Sequence, residues 1–316
     1  MFDWIKRLAA VSALALVAAC GGGDDDHPPG TLAQVATTGG FTALVAAADK
    51  AGLVPALSSS SSNLTVFAPT DAAFTSLATS LGFADAAAMV AALDGPTLAS
   101  ILQYHVLPTK QLAADLAAGG PTQDTLYTFD GAAATLALDT TSGVKITDEV
   151  LTQATVTTAN VAASNGVIHV IDKVLVPPGV LNVVQMAQLN PAFSTLVGAV
   201  VSANLQGALA DPAATLTVFA PTNDAFAAIA STVAGLNTTQ LTTVLTYHVL
   251  GSQVLAAGIP FGTPVATLSG QDITINAGTP PTITDTTATP ASIVATDVRA
   301  SNGVIHVIDK VLIPAL

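Results

Sequence analysis

The chain has 316 residues and a formal charge of −13, from 21 acidic against eight basic side chains. So few cations, two of them Lys6 and Arg7, leave no basic patch to neutralise phosphates, which argues against nucleic acid as a partner. Hydrophobic residues make up 51% of the chain, much of it Ala, and a single cysteine excludes any intrachain disulfide.

Taken in order, Lys6-Arg7 and the apolar run Leu8–Ala18 form the n- and h-regions of an export leader over residues 1–19. Val17-Ala18-Ala19-Cys20 resembles the lipobox of bacterial lipoproteins, which implies lipidation of Cys20 and a membrane anchor. An ordinary signal peptide cleaved after Ala19 is the alternative. Gly21, rather than Asp, after the cysteine points by analogy with lipoprotein sorting to the outer membrane of a bacterial envelope. Residues 20–30 read as a tether, because its glycines, three aspartates and two prolines cannot bury a core. Asp24–Asp26 with His27 could hold a cation, though a solvated spacer is the simpler reading.

Beyond the tether, Phe41, Leu44, Val45 and Ala48 fall at i, i+3, i+4 and i+7 and predict an amphipathic helix. Ser58–Ser62 reads as a loop, Thr65–Thr70 (TVFAPT) as a strand, and Asp71 as a cap for the helix that follows. Leu98, Ile101, Leu102 and His105 share one face of a later helix, so the histidine of Tyr104-His105 points toward the core. There it is either neutral and hydrogen-bonded, or a general base or metal ligand. Val144–Asp148 and Ala154–Val161 supply strands. In Ser164–Leu175, SNGVIHVIDKVL, Asn165-Gly166 is turn chemistry, since both residues tolerate positive φ. Val167–Val176 is apolar on both alternating faces, which predicts a central strand ended by Pro177-Pro178.

The pattern then recurs. Ser301–Leu312 repeats SNGVIHVIDKVL letter for letter, Thr217–Thr222 repeats TVFAPT, and Tyr247-His248 repeats the Tyr-His pair. Phe193, Leu196, Val197 and Val200 repeat the amphipathic stripe, Asn223-Asp224 the expected cap, and Ile273–Asn276 a strand. The uncharged run from Phe193 to Ala210 reads as a packed helix, because Ser194, Thr195, Ser202, Asn204 and Gln206 suit a membrane poorly. Phe219 follows Phe67 by 152 residues, His248 follows His105 by 143, and His306 follows His169 by 137. A period near 150 is too long for a solenoid and fits two whole domains, at residues 31–178 and 179–316. Val176–Val180 joins them with little slack, which predicts limited hinge freedom.

TVFAPTDAAF, YHVL and NGVIHVIDKVLVP, in this order and spacing, resemble the first block, the Tyr-His motif and the second block of fasciclin domains. TVFAPTNDAF, YHVL and DVRASNGVIHVIDKVLIP do so again in the second copy. The resemblance implies an α+β fold of two tandem domains, each a β wedge or sandwich packed with several helices. It also implies a structural role for the motif residues Tyr104, His105 and His169, and for Tyr247, His248 and His306.

Other chemistry finds little support. His169 and Asp172 are three residues apart on a strand, hence on opposite faces, and cannot act as a dyad; His306 and Asp309 repeat the arrangement. Glu149 is the only glutamate, and no nucleophile elbow, HExxH, P-loop or dinucleotide fingerprint occurs. No His/Cys cluster has zinc spacing. Asn63-Leu64-Thr65 and Asn237-Thr238-Thr239 fit the N-glycosylation pattern, to which a bacterial leader gives little weight. The expectation is a non-enzymatic, cofactor-free, surface-anchored protein for adhesion to a matrix or cell-surface polymer or protein. The alternative is a binding protein for a small apolar ligand such as a pigment or lipid, although aromatics at 4% are thin for stacking.

Overall fold

The computed structural model describes residues 28–316. The leader, Cys20 and most of the tether lie outside the described residues. The first unit opens with helices α1 (Leu32–Thr38), α2 (Thr42–Lys50) and α3 (Val54–Ser58), then strand β1 (Leu64–Pro69). Helices α4 (Asp71–Ser80), α5 (Ala86–Ala92) and α6 (Gly95–Tyr104) follow, then β2 (Val106–Leu107) and α7 (Ala113–Ala118). The chain closes the unit with β3 (Thr122–Phe129), β4 (Ala132–Asp139), β5 (Lys145–Thr147), β6 (Gln153–Ala163) and β7 (Gly166–Ile171).

The second unit repeats this plan. Helices α8 (Val183–Leu189), α9 (Ser194–Ser202) and α10 (Gln206–Leu209) precede β8 (Leu216–Pro221). Then come α11 (Asn223–Ala227), α12 (Ala230–Ala234), α13 (Thr238–Tyr247) and β9 (Val249–Leu250). Strands β10 (Pro264–Ala266), β11 (Asp272–Asn276), β12 (Thr282–Thr284), β13 (Ala291–Ala300) and β14 (Gly303–Ile308) complete it. The α+β class and the tandem arrangement expected from the sequence are both present.

Each unit holds one seven-stranded sheet, in the orders β2-β1-β7-β6-β5-β4-β3 and β10-β11-β12-β13-β14-β8-β9. The pairs β1–β7 and β8–β14 are parallel and the remaining pairs antiparallel. The strand made last in each unit therefore sits beside the strand made first, and the sheet cannot close without it. Long β6 carries two register shifts, the second of which, between Thr158 and Val161, contains Asn160 at φ +62°. Such bulges bend a strand, so β6 pairs with β5 at one end and β7 at the other and folds the sheet into a wedge.

Alternation along β1 then fills two cores. Val66 and Ala68 face the helices with Leu44, Phe74 and Leu102, while Phe67 faces the wedge interior with Tyr104, Leu136, Ile146 and Ile171. The second unit divides in the same way around Phe219 and Tyr247. Among the described residues no single helix is long and apolar enough to cross a membrane, and the run after Phe193 is broken into α9 and α10 at Asn204, φ +55°.

Three local expectations need correcting. Strand β7 ends at Ile171, not at the prolines. Val174, Leu175 and Val176 are buried all the same, and side chains rather than a neighbouring strand bind the amides of the last two. Asp71 and Asn223 do not cap their own helices, which Thr70 and Thr222 cap. Asp71 instead accepts from the Ala43 amide at 2.8 Å and Asn223 from the Thr195 amide at 2.9 Å, each closing the start of an earlier helix. Finally, Gly166 is needed for close approach rather than for positive φ, since a Cβ there would lie 2.3 Å from the Leu64 carbonyl oxygen. Its partner Asn165 accepts from the Leu32 amide and donates to the Leu57 and Ser59 carbonyls, pinning two helices to the central strand. Asn302 makes the matching bonds to Val183, Leu209 and Asp211.

Candidate functional site

The motif histidines carry the most versatile side-chain chemistry in the fold. His105 ends α6 and is 1% exposed. Its Nδ1–H donates to the Ile101 carbonyl at 2.7 Å, which leaves Nε2 as an acceptor, and the Leu175 amide donates to it at 2.8 Å. The ring is therefore neutral, with both nitrogens occupied. Burial pulls its pKa down to about 4. His248 repeats every contact, with Val244 and Leu312 as partners and a pKa again pulled down to about 4 by burial. Neither ring has a free nitrogen for a substrate or a metal.

The neighbouring tyrosines anchor the other wall of the wedge. Tyr104 donates its hydroxyl to the Thr135 carbonyl at 3.0 Å, and Tyr247 donates to the Asp272 carbonyl at 2.9 Å. The Tyr-His pair thus ties one helix end to both halves of the folded sheet. His169 packs on Phe67, donates from Nε2 to the Gln111 carbonyl, and accepts at Nδ1 from the amide of the bulge residue Asn160. His306 does the same with Phe219, Val254 and Asp297. Burial lowers the pKa of both rings, opposed by their bonds to the carbonyls. Asp172 and Asp309 have other partners, the amides of Thr155 and Ser292, so no histidine–aspartate dyad forms. No group of three or more His, Cys, Asp or Glu able to hold a metal exists among the described residues.

A second cluster lies between the units and was not legible as a motif. Asp148 is buried, pairs with Lys173, and accepts from the Val176 amide. Asp285 repeats this with Lys310 and the Ile313 amide. The next residue differs between the copies: Glu149 in the first, Thr286 in the second. The Glu149 carboxylate reaches across and accepts from the amide of Arg299 on β13. Burial pushes its pKa up to about 7, against the opposing bond from that amide. The Arg299 guanidinium lies 5.0 Å over the Phe129 ring and pairs with Asp130 at 2.7 Å. The Arg299 carbonyl accepts from Gly179. Gly179 has φ +74°, and a Cβ there would fall 2.1 Å from the Phe129 ring. Tyr127 donates to the Pro178 carbonyl, and Asn190 to the Val150 carbonyl. Linker, β3–β4 turn and β13 thus form one joint. Its signal in the sequence is the mismatch between otherwise equivalent positions, Glu149 with Thr286 and Arg299 with the exposed Ala162.

A family model described as the fasciclin domain matches residues 39–177 and 191–314. Protein sll1483 of Synechocystis sp. is 43% identical over 143 residues, covering 43% of this chain and 75% of its own length. The fasciclin-like arabinogalactan protein elcF of Phaeosphaeria nodorum is 31% identical over 260 residues, covering 79% of this chain and 78% of its own. A solved FAS1 domain pair from the insect cell adhesion molecule Fasciclin I aligns with a TM-score of 0.43 at 17% identity, over 90% of this chain and 95% of that one.

Proposed function

The chain belongs to the fasciclin-domain family, with two copies of the domain in tandem, and on that premise we propose that it is a non-enzymatic adhesion protein of a bacterial cell envelope. Its partner is a matrix or cell-surface polymer or protein, and Cys20 carries the lipid that holds it to the outer membrane. The observation that carries this reading is the joint. Two domains docked through Glu149, Arg299 and Gly179 present their outer surfaces in one orientation rather than independently. Two linked modules raise apparent affinity through effective concentration even where each binds weakly. The family resemblance supports the same reading, as does the engagement of every motif histidine in holding the fold together.

The test compares adhesion to surfaces and extracted matrix by the two-domain chain, by each domain alone, and by the chain carrying Cys20→Ser. Adhesion falls more than twofold when either domain is removed, and Cys20→Ser moves the protein from the membrane to the soluble fraction. A single domain that adheres as tightly as the pair removes the avidity argument. A Cys20→Ser protein that partitions into detergent like the wild type removes the anchor.

A further inference from the structure

The two domains share a fold and a motif set, yet their helix-side cores are not equally full. In the first, a cavity of about 110 Å³ lies between α1, α2 and α3 and the face of β1 and β7. The corresponding space in the second domain is about 40 Å³. The difference traces to side chains at equivalent positions. Ala48 and Ala33 line the larger cavity, where Val200 and Val184 line the smaller one, while the changes from Leu32 to Val183 and, at the rim, from Gln103 to Thr246 work in the opposite direction. At the mouth stands Leu126, 41% exposed, from the long hairpin strand β3. The second domain has only the short strand β10 in that region and no counterpart at its cavity.

The lining defines what fits. Among the described residues no Asp, Glu, Lys or Arg contributes to it, and no Phe, Tyr or Trp. Among the deep wall residues only His105 is polar, and both of its nitrogens are already bonded within the protein. The remaining polar side chains, Thr37 and Gln103, are exposed and half-exposed respectively. A guest therefore finds branched aliphatic walls inside, no hydrogen-bond partner, no ring to stack on, and no charge to pair with. Dry apolar cavities of about 150 Å³ take up benzene-sized guests, so this volume suffices for the end of a hydrocarbon chain. A carboxylate head would find no cation to pair with at the rim and would meet a protein of charge −13.

We propose that the first domain, and not the second, binds the aliphatic chain of an uncharged lipid-like molecule in this cavity, with its polar end at Thr37 and Gln103. This stands apart from the adhesion reading and does not depend on it. The experiment titrates the full chain carrying Cys20→Ser, kept free of detergent, with 1-decanol, decanoate and benzene, reading stoichiometry by native mass spectrometry and affinity by calorimetry. One 1-decanol binds per chain, at least tenfold more tightly than decanoate. Ala48→Val, which installs the residue the sister domain already accommodates at that position, weakens binding at least tenfold. Val200→Ala raises the stoichiometry to two. No saturable binding, two equivalents on the wild type, equal affinity for decanoate, or an Ala48→Val chain that binds unchanged would each overturn the proposal. Benzene binding more tightly than 1-decanol would overturn the aliphatic assignment.

Discussion

His105 and Leu175 lie 70 residues apart in the chain, and the amide of one donates to the ring of the other at 2.8 Å. That bond does what a neighbouring strand does elsewhere in the sheet. Beyond Ile171 the chain leaves the ladder, yet it is buried again from Val174 to Val176, and a buried amide without a partner is costly. His105 supplies the partner, and His248 supplies the same service to Leu312.

Replacing either histidine by Ala leaves a cavity and an unpaired amide, and is expected to destabilise its own domain by about 1–4 kcal/mol. His105→Ala lowers the melting transition of the first domain and His248→Ala that of the second, as resolved by calorimetry. A variant that melts like the wild type would show that these rings do not hold the chain after Ile171.

Acid should act through the same rings. Their pKa values are near 4 when folded, against 6.5 for an ordinary histidine. Between these values the unfolded chain binds more protons than the folded one, so stability is full above pH 6.5 and is lost as pH falls toward 4. The fall from 6.5 to about 4 is equivalent to roughly 3 kcal/mol per ring. Urea midpoints measured from pH 7.5 to 4 should drop for both domains, and His105→Gln should flatten the first domain's curve.

Glu149 has the opposite sign. Its pKa is about 7 in the folded protein against 4.5 for a free carboxyl, so its contribution is present below pH 4.5 and is lost as pH rises through 7. The effect belongs to the joint rather than to either core. Limited proteolysis across Pro178-Gly179 should accelerate between pH 6 and 8 in the wild type, beyond the protease's own pH dependence. Glu149→Gln keeps an acceptor for the Arg299 amide without the charge and should remove that acceleration.

Gly179→Ala is expected to open the joint, because the new Cβ and the Phe129 ring cannot share the same space. A positive φ also costs a non-glycine residue of order 1–3 kcal/mol. Small-angle scattering should report a larger radius of gyration, while each domain's melting temperature stays within a few degrees of the wild type. Unchanged scattering would mean that the linker contact does not set the domain arrangement.

A chain ending at Ser301 lacks β14, the strand between β8 and β13. It also lacks Asn302, which holds α8 and the loop after α10. The second domain of that chain should give no cooperative melt.

Legibility followed the physics of each segment. Repeated, apolar β7 was readable because a central strand must be apolar on both faces. Its end was not, since the continuing run Val174–Val176 is buried by side-chain bonds that only the tertiary fold supplies. The β3–β4 hairpin passed unread although Asp130-Gly131 is strong turn chemistry, with both residues at positive φ. The alanines of β4 dilute its strand pattern. Asp71 was readable as a cap but not as the cap of α2, because it acts across 28 residues of sequence. Glu149 and Arg299 were hardest to see, being ordinary residues whose meaning comes from the domain opposite.

That last pair gives the tandem a direction. The two domains are alike in fold, but their contact faces are not alike. One offers Glu149 and Asp130 as a socket, the other Arg299 as a plug, and the equivalent Thr286 and Ala162 on the far ends offer neither. With the copies in reverse order, Thr286 would meet Ala162 and nothing would lock. Duplication made the modules interchangeable as folds, and these few side chains made their sequence along the chain irreversible.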